Sequence, residues 1–211
     1  MAQAAALLSR DAGVTAESEG EVFDTYAEDG TPLGRELRAV CHAQGIWHRA
    51  VYAFLFNSAG QLLIQRRSLN KKVAPGQWDL SVAEHLSPGE SYADGVARGL
   101  EEELGVALTQ EQRAALQGPI TPRHQRRLLI PDKGIKDFEF IEVYRLDGYD
   151  GPISFNQQEV VECRWASLAQ VRADMAARPQ DFTVWFREEL AGLDFFGAAA
   201  AAAPAAAAQG L

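Results

Sequence analysis

EHLSPGESYADGVARGLEEELGV, residues 84–106, is the stretch around which the chain is organised. Gly89 supplies a turn, Ser91 stands at an N-cap position, and Asp94 three residues on completes a capping-box-like pattern. A helix is expected from about Tyr92 to Leu104, stopped by Gly105, where a left-handed backbone is needed. Val96, Leu100 and Leu104 recur every fourth residue and form its apolar stripe. Arg98, Glu102 and Glu103 lie off that stripe, with Arg98 and Glu102 spaced as an i,i+4 pair. Glu102 and Glu103 diverge by about 100° around the axis, yet both can reach one ion beside the helix. Clustered carboxylates repel unless a cation sits among them, and oxygen-only ligands suit Mg²⁺ or Mn²⁺ better than zinc. Such an ion, shared with substrate phosphates, favours attack of water on a diphosphate. Read alone, the EEE run is better explained as a solvated helix face paired with Arg98; its neighbours change that weighting.

Outward from this stretch the chain alternates strands and helices. EVFDTY reads as a strand, Asp29-Gly30 as a turn before a returning strand, and RELRAVCHAQG as a short helix ending at Gly45. WHRAVYAFLFN is a strand, SAG turns it, and QLLIQRR is read as its antiparallel partner. SLNKKVAPGQW is a basic loop, and DLSVAEH is one strand leading into the central motif. TQEQRAALQG is a short helix or turn. ITPRHQRRLLI and KDFEFIEVYRL are strands around PDKG, and another strand runs near Val160 to Trp165. A helix capped by Ser167 ends before Pro179, and a closing helix is placed to start at Asp181. Strands, helix, strands and helices in this order imply an α/β sandwich with a mixed sheet and helices on both faces.

Composition narrows the function. The 211 residues are 47% hydrophobic, with a net charge of -9 and pI near 5.0. A nucleic-acid backbone binder would need a basic face. Cys41 and Cys163 offer neither a disulfide framework nor metal-ligand spacing, which points to a reducing compartment. No apolar run reaches the roughly 20 residues of a membrane span. Residues 1–20 read as a disordered leader and 194–211 as an Ala-rich disordered tail, with Pro204 against a packed helix. A cytoplasmic location is expected, the leader leaving an organelle address open.

The central stretch resembles the Nudix box. That pattern is Gly, five residues, Glu, seven residues, Arg-Glu, a bulky aliphatic, any residue, Glu-Glu, any residue, Gly and a bulky aliphatic. Glu90, Arg98, Leu100, Glu102, Glu103, Gly105 and Val106 match it. GIWHRAVYAFLFN, LLIQRRS, KKVAPGQWDLSVA and FTVWFREEL look like the Nudix branch that includes type I isopentenyl-diphosphate isomerase, so the resemblance runs from about Val22 to Leu190. It implies a Nudix-type α/β/α sandwich, with residues 21–46 as a hairpin and helix extension and 47–193 as the Nudix hydrolase domain. Two positions depart from the box. Glu84 replaces the first glycine, and Gly99 replaces the glutamate after the arginine. The missing glutamate is one the family uses to bind metal and activate water. Gly99 also weakens the helix by about 1 kcal/mol relative to alanine. Glu101, about 200° round the helix from Gly99, faces elsewhere; Glu84 is a candidate to reach in from the loop. The isomerase branch implies a cysteine before the box, where this chain has Ala83. Its metal-binding histidines fall near His42, His48 and His85, and its acid pair near Asp137 and Glu139.

These readings converge on a hydrolase of a diphosphate linkage in a small organic or nucleoside diphosphate, with Mg²⁺ or Mn²⁺ and neither nucleic acid nor membrane as partner. Metal ligands are expected among Glu102, Glu103, Glu90 and His85, and catalytic roles at Glu102, Glu103, Arg98 and Glu139. Glu139 is read as a ligand or a general base, with a solvent-facing acid as the alternative. Arg66, Arg67 and Lys72, clustered with Lys71, are expected to bind substrate phosphate, or to form a solvated loop. His48 reads as a structural histidine or a ligand, and Trp78 and Trp185 as core. The alternatives are a Nudix-fold binding protein impaired by Gly99, for which Gly99→Glu is the restoring test, and an isopentenyl-diphosphate isomerase. The specificity loops name no substrate.

Overall fold

A computed structural model of the chain describes residues 20–193. The leader up to residue 19 and the tail from 194 lie outside the described residues. An antiparallel hairpin of β1 (Val22–Tyr26) and β2 (Pro32–Leu37) comes first, followed by α1 (Arg38–Gln44). Strand β3 (His48–Leu55) is the centre of the molecule. It pairs antiparallel with β6 (Val82–His85) and parallel with β8 (Ile135–Leu146), and β7 (His124–Ile130) completes a mixed sheet in the order β6-β3-β8-β7. A second sheet has the order β5-β4-β9, from β5 (Trp78–Asp79), β4 (Leu62–Arg67) and β9 (Val160–Ala166). The helices are α2 (Tyr92–Leu104), α3 (Gln110–Ala115), α4 (Leu168–Ala177) and α5 (Val184–Gly192).

Both faces of β3 are covered, which is why it reads as an apolar run without alternation. Ala50, Tyr52 and Phe54 pack with Val171 and Met175 of α4 and Trp185, Phe186 and Leu190 of α5. Val51, Ala53 and Leu55 pack with Val96, Leu100 and Leu104 of α2. Full burial of each α2 side chain contributes about 2 kcal/mol. The expected α/β/α sandwich with a mixed sheet is therefore the fold. The Ser91 hydroxyl accepts from the Asp94 amide at 3.2 Å and donates to its carboxylate at 2.6 Å. Gly105 closes α2 at φ 67°, and a Cβ there would meet the Ser154 carbonyl at 2.6 Å.

Three expectations need correction. QLLIQRR does not pair with β3 beyond the single Phe56–Leu62 bridge. β3 already has neighbours on both edges, so β4 must find its own sheet. DLSVAEH is two strands in different sheets, divided at Leu80 and Ser81. The Ser81 hydroxyl is wedged there, accepting from the Leu55 amide at 2.8 Å and donating to the Leu63 carbonyl at 2.6 Å. The closing helix starts later than Asp181, which lies in a 3-10 turn. Thr183 is its N-cap, accepting from the Phe186 amide at 3.3 Å.

Candidate functional site

Four elements deliver a cluster of metal-type ligands to one place. His48 begins β3 and sits opposite Glu139 of β8. Asp137 is two residues before Glu139, so both point to the same face of the strand. His85 ends β6 opposite Ala50, and His42 comes from the last turn of α1. Asp137 Oδ1 lies 3.2 Å from His48 Nε2, 3.5 Å from His42 Nε2 and 3.8 Å from His85 Nε2; the last is also 3.1 Å from Glu139 Oε1. His48 is fully buried. Its Nδ1 is 2.9 Å from the Ile46 carbonyl, which assigns a proton to Nδ1 and turns Nε2 toward the cluster. The three Nε2 atoms and Asp137 Oδ1 are buried without a hydrogen-bond partner. Four such atoms cost several kcal/mol unless something satisfies them. Converging imidazoles and a carboxylate are the donor set of a divalent cation, and these residues fit one. Phe23 of β1 stacks on His48 with ring centroids 4.7 Å apart and lies 4.8 Å from His85, so the N-terminal hairpin forms one wall.

The electrostatics suit that role. Burial pushes His42 down to about 3, against the pull of Asp137, and keeps it neutral. Burial also opposes the charge on His85, but the Asp137 and Glu139 carboxylates outweigh it and lift its pKa to about 9, so this imidazole gives up a proton on binding a cation. Burial works against the Glu139 carboxylate too, and the Arg126 guanidinium overcomes it, bringing the pKa down to about 2. Glu139 therefore stabilises the fold above its ordinary pKa of 4.5, and that contribution is lost as pH falls from 4.5 through about 2. Metal-free protein is expected to lose stability over that window by circular dichroism, and Arg126→Gln to begin losing it at higher pH. An unchanged acid profile in the variant would show that Arg126 does not hold Glu139 ionised.

Beside this cluster lies the carboxylate set of α2. Glu103 is 3% exposed, and Gln65 donates to it from β4 while also reaching the Ser81 carbonyl at 3.0 Å. The carboxylates of Glu84, Glu103 and Glu159 lie within 4.8 Å of one another, and Lys71 donates to Glu159 at 2.8 Å. Burial and the neighbouring Glu84 raise Glu103 well above the usual carboxylate range. Glu84 moves the other way: burial opposes its charge, but hydrogen bonds from Glu103 and Arg98 prevail. The pair thus holds a proton on Glu103. Arg98 organises the loop, donating to Glu90 at 2.9 and 3.0 Å, to Glu84 and Glu102 at 3.0 Å, and to the His85 carbonyl at 2.7 Å.

The expected site residues divide. Glu103 joins Glu84 and Glu159, and His85 and Glu139 join the histidine cluster. Glu102 is apart from both groups: its side chain is 55% exposed and its partner is Arg98. Glu90 braces the loop, between Arg98 and the Ser87 amide. Arg67 and Lys71 line the pocket between the two groups, whereas Arg66 turns to the Gly76 carbonyl and Glu162. Lys72 is not among the pocket-lining residues, and its carbonyl accepts from Lys133. Trp185, expected as core, also lines the pocket. Arg126 and Glu159 also belong to the site. The alternation of HQRRLLI signals that Arg126 faces inward; nothing local marks Glu159, which a loop carries in.

The pocket has a volume of about 70 Å³. Arg38, Arg67, Lys71 and Arg126 line it together with Ala83, Glu84, His85, Asp137 and Glu139. The Arg126 guanidinium pairs with Glu139 and lies over the rings of Trp185 and Tyr52 at 5.0 and 5.2 Å. Such cations recognise phosphate oxygens.

Comparison with known proteins agrees with the fold and the central motif. The model of the NUDIX domain matches residues 46–186. A Burkholderia multivorans protein named isopentenyl-diphosphate Delta-isomerase is 34% identical over 158 residues, 75% of this chain and 84% of its own. An uncharacterized Nudix hydrolase of Pseudomonas aeruginosa is 46% identical over 91 residues, 43% of this chain and 54% of its own. A solved structure from Deinococcus radiodurans superposes with a TM-score of 0.62 at 28% identity, covering 82% of this chain and 98% of that one. With a domain match over most of its length and relatives of this kind, the chain belongs to the Nudix superfamily, in the branch that resembles the type I isopentenyl-diphosphate isomerases.

Proposed function

We propose that this protein hydrolyses a diphosphate linkage in a small organic or nucleoside diphosphate, with Mn²⁺ or Mg²⁺ as cofactor. The observation that carries this reading is one pocket in which the basic side chains of Arg67, Lys71 and Arg126 stand with Glu84, His85, Asp137 and Glu139. His42, His48, His85, Asp137 and Glu139 would hold one ion, and their imidazoles favour Mn²⁺ over Mg²⁺ there. A bound divalent ion offsets charge developing on the phosphate oxygens. Arg67, Lys71 and Arg126 bind the diphosphate. Arg98 orients Glu84, Glu90 and Glu102. Glu139, held ionised near pKa 2 and accepting from Tyr52 at 3.0 Å, suits ligation better than proton transfer. Glu103, whose pKa is raised by burial and by the neighbouring Glu84, is the candidate proton carrier.

Isomerisation of isopentenyl diphosphate is the second reading, because relatives matching most of the chain bear that name. Ala83 lines the pocket at the position where the branch implies its cysteine, so this chain brings no thiol there. The test is a panel of diphosphates incubated with Mn²⁺ or Mg²⁺, followed for phosphate release and for isomerised product. Metal-dependent phosphate release is expected. Isomerised product without phosphate release would replace this reading with the second, and binding without turnover of any compound would make the protein a binder.

A further inference from the structure

The box departs from its pattern at two positions, and the fold puts those two positions against each other. A Cβ built on Gly99 would lie 2.7 Å from Cγ of Glu84 and 2.5 Å from Cγ1 of Val82. Both distances are shorter than any real contact, so β6 already fills the volume that a side chain at 99 would need. Glu84 stands opposite Val51 in the sheet, on the face that α2 covers. Its stem runs against Gly99, and its carboxylate reaches Arg98 at 3.0 Å and the neighbourhood of Glu103. A glutamate restored at 99 alone therefore has no room, contrary to the simple restoring test. Two independent losses would not need to touch, whereas an exchange of glycine and glutamate across one contact must.

We infer that the missing box carboxylate has moved from helix to strand: Glu84 on β6 serves the metal in place of position 99, and Gly99 is the space that admits it. The inference rests on the metal-dependent reading above. The physical reason is that α2 and β6 face each other, so a side chain projecting from either one can reach the same volume. A Glu at both positions overfills it, and a Gly at both leaves it without a charge.

Mn²⁺ binding to the full chain without substrate, followed by the electron paramagnetic resonance of the free ion, tests the metal half. Wild type is expected to bind two ions, one at the histidine cluster. Glu84→Gln keeps the shape and the Arg98 contact, and is expected to weaken the second site at least about tenfold with little change in Tm. Glu84→Asp, which draws the charge back by one methylene, is expected to weaken the same site. Glu101→Gln, on the exposed face of α2, should bind two ions as wild type does. Differential scanning calorimetry tests the steric half. Gly99→Ala is expected to lower Tm by about 5 °C, and Glu84→Gly/Gly99→Ala to recover part of that loss because one obstructing atom is gone. The inference falls if wild type binds a single ion, if Glu84→Gln binds two as tightly as wild type, or if the two substitutions affect Tm additively. Failure of the hydrolase reading has a different signature: two bound ions and no phosphate released.

Discussion

Asp137→Asn is expected to lower kcat/KM by at least about 100-fold and to remove the histidine cluster's share of the gain in thermal stability on adding Mn²⁺. Oδ1 of Asp137 is the atom on which the three imidazole Nε2 atoms converge, at 3.2 to 3.8 Å. Burial opposes its charge, but the His48 and His85 imidazoles beside it hold its pKa well below the usual range, so it is a carboxylate at any working pH. An asparagine of the same shape brings a neutral oxygen, or an amide donor, to a place that wants an anion. In the wild type, Mn²⁺ at about 100 times its Kd adds about 2.7 kcal/mol of stability, or about 5–10 °C in Tm. Calorimetry with and without Mn²⁺ reads the effect directly. A variant that kept the wild-type shift would show that the cation binds elsewhere.

Asp79→Ala is expected to cost about 3–5 kcal/mol of stability and to raise KM for the diphosphate substrate. Asp79 has 0% exposure and ties three parts of the molecule together. Oδ1 accepts from the Leu80 amide at 2.9 Å, the Thr183 hydroxyl at 2.9 Å and the Trp185 indole at 2.8 Å, while Oδ2 accepts from Arg67 at 3.1 Å. Thr183 caps α5, and Trp185 and Arg67 line the pocket. Removing the carboxylate leaves a largely buried guanidinium without its charge partner and unfastens α5 from the sheet. Asp79→Asn keeps the acceptor oxygen and should lose much less. Urea unfolding separates the two variants, and steady-state kinetics reads Arg67. An alanine variant within about 1 kcal/mol of wild type would mean that α5 is held by its apolar face alone.

The legible part of the molecule was local. The α2 boundaries, the Ser91 cap and the Gly105 stop follow from residues within a turn of one another, and the structure has all three. The mixed sheet and covering helices follow from the order of the elements. The misreadings were pairings. SAG does turn the chain, but turning does not oblige β3 and β4 to share a sheet. Ser81 splits what reads as one strand because its hydroxyl serves two other strands, a partnership that DLSVAEH does not display. Glu102 and Glu103 look equivalent in the EEE run, yet one faces solvent and the other Gln65, because α2 docks through Val96, Leu100 and Leu104.

By itself, the sequence determined the box register, the superfamily and the two departures, Glu84 and Gly99. Those are matters of spacing along one short segment, where the 3.6-residue turn of a helix sets which side chains lie together. Only the tertiary structure decided that Glu84 occupies the space of Gly99, and that His42, His48, His85 and Asp137 meet. It also joined Tyr52 to Glu139, 87 residues apart, at 3.0 Å. Strand register and helix docking create these contacts through burial of apolar faces that are distant in sequence, and no periodicity within one segment carries that information.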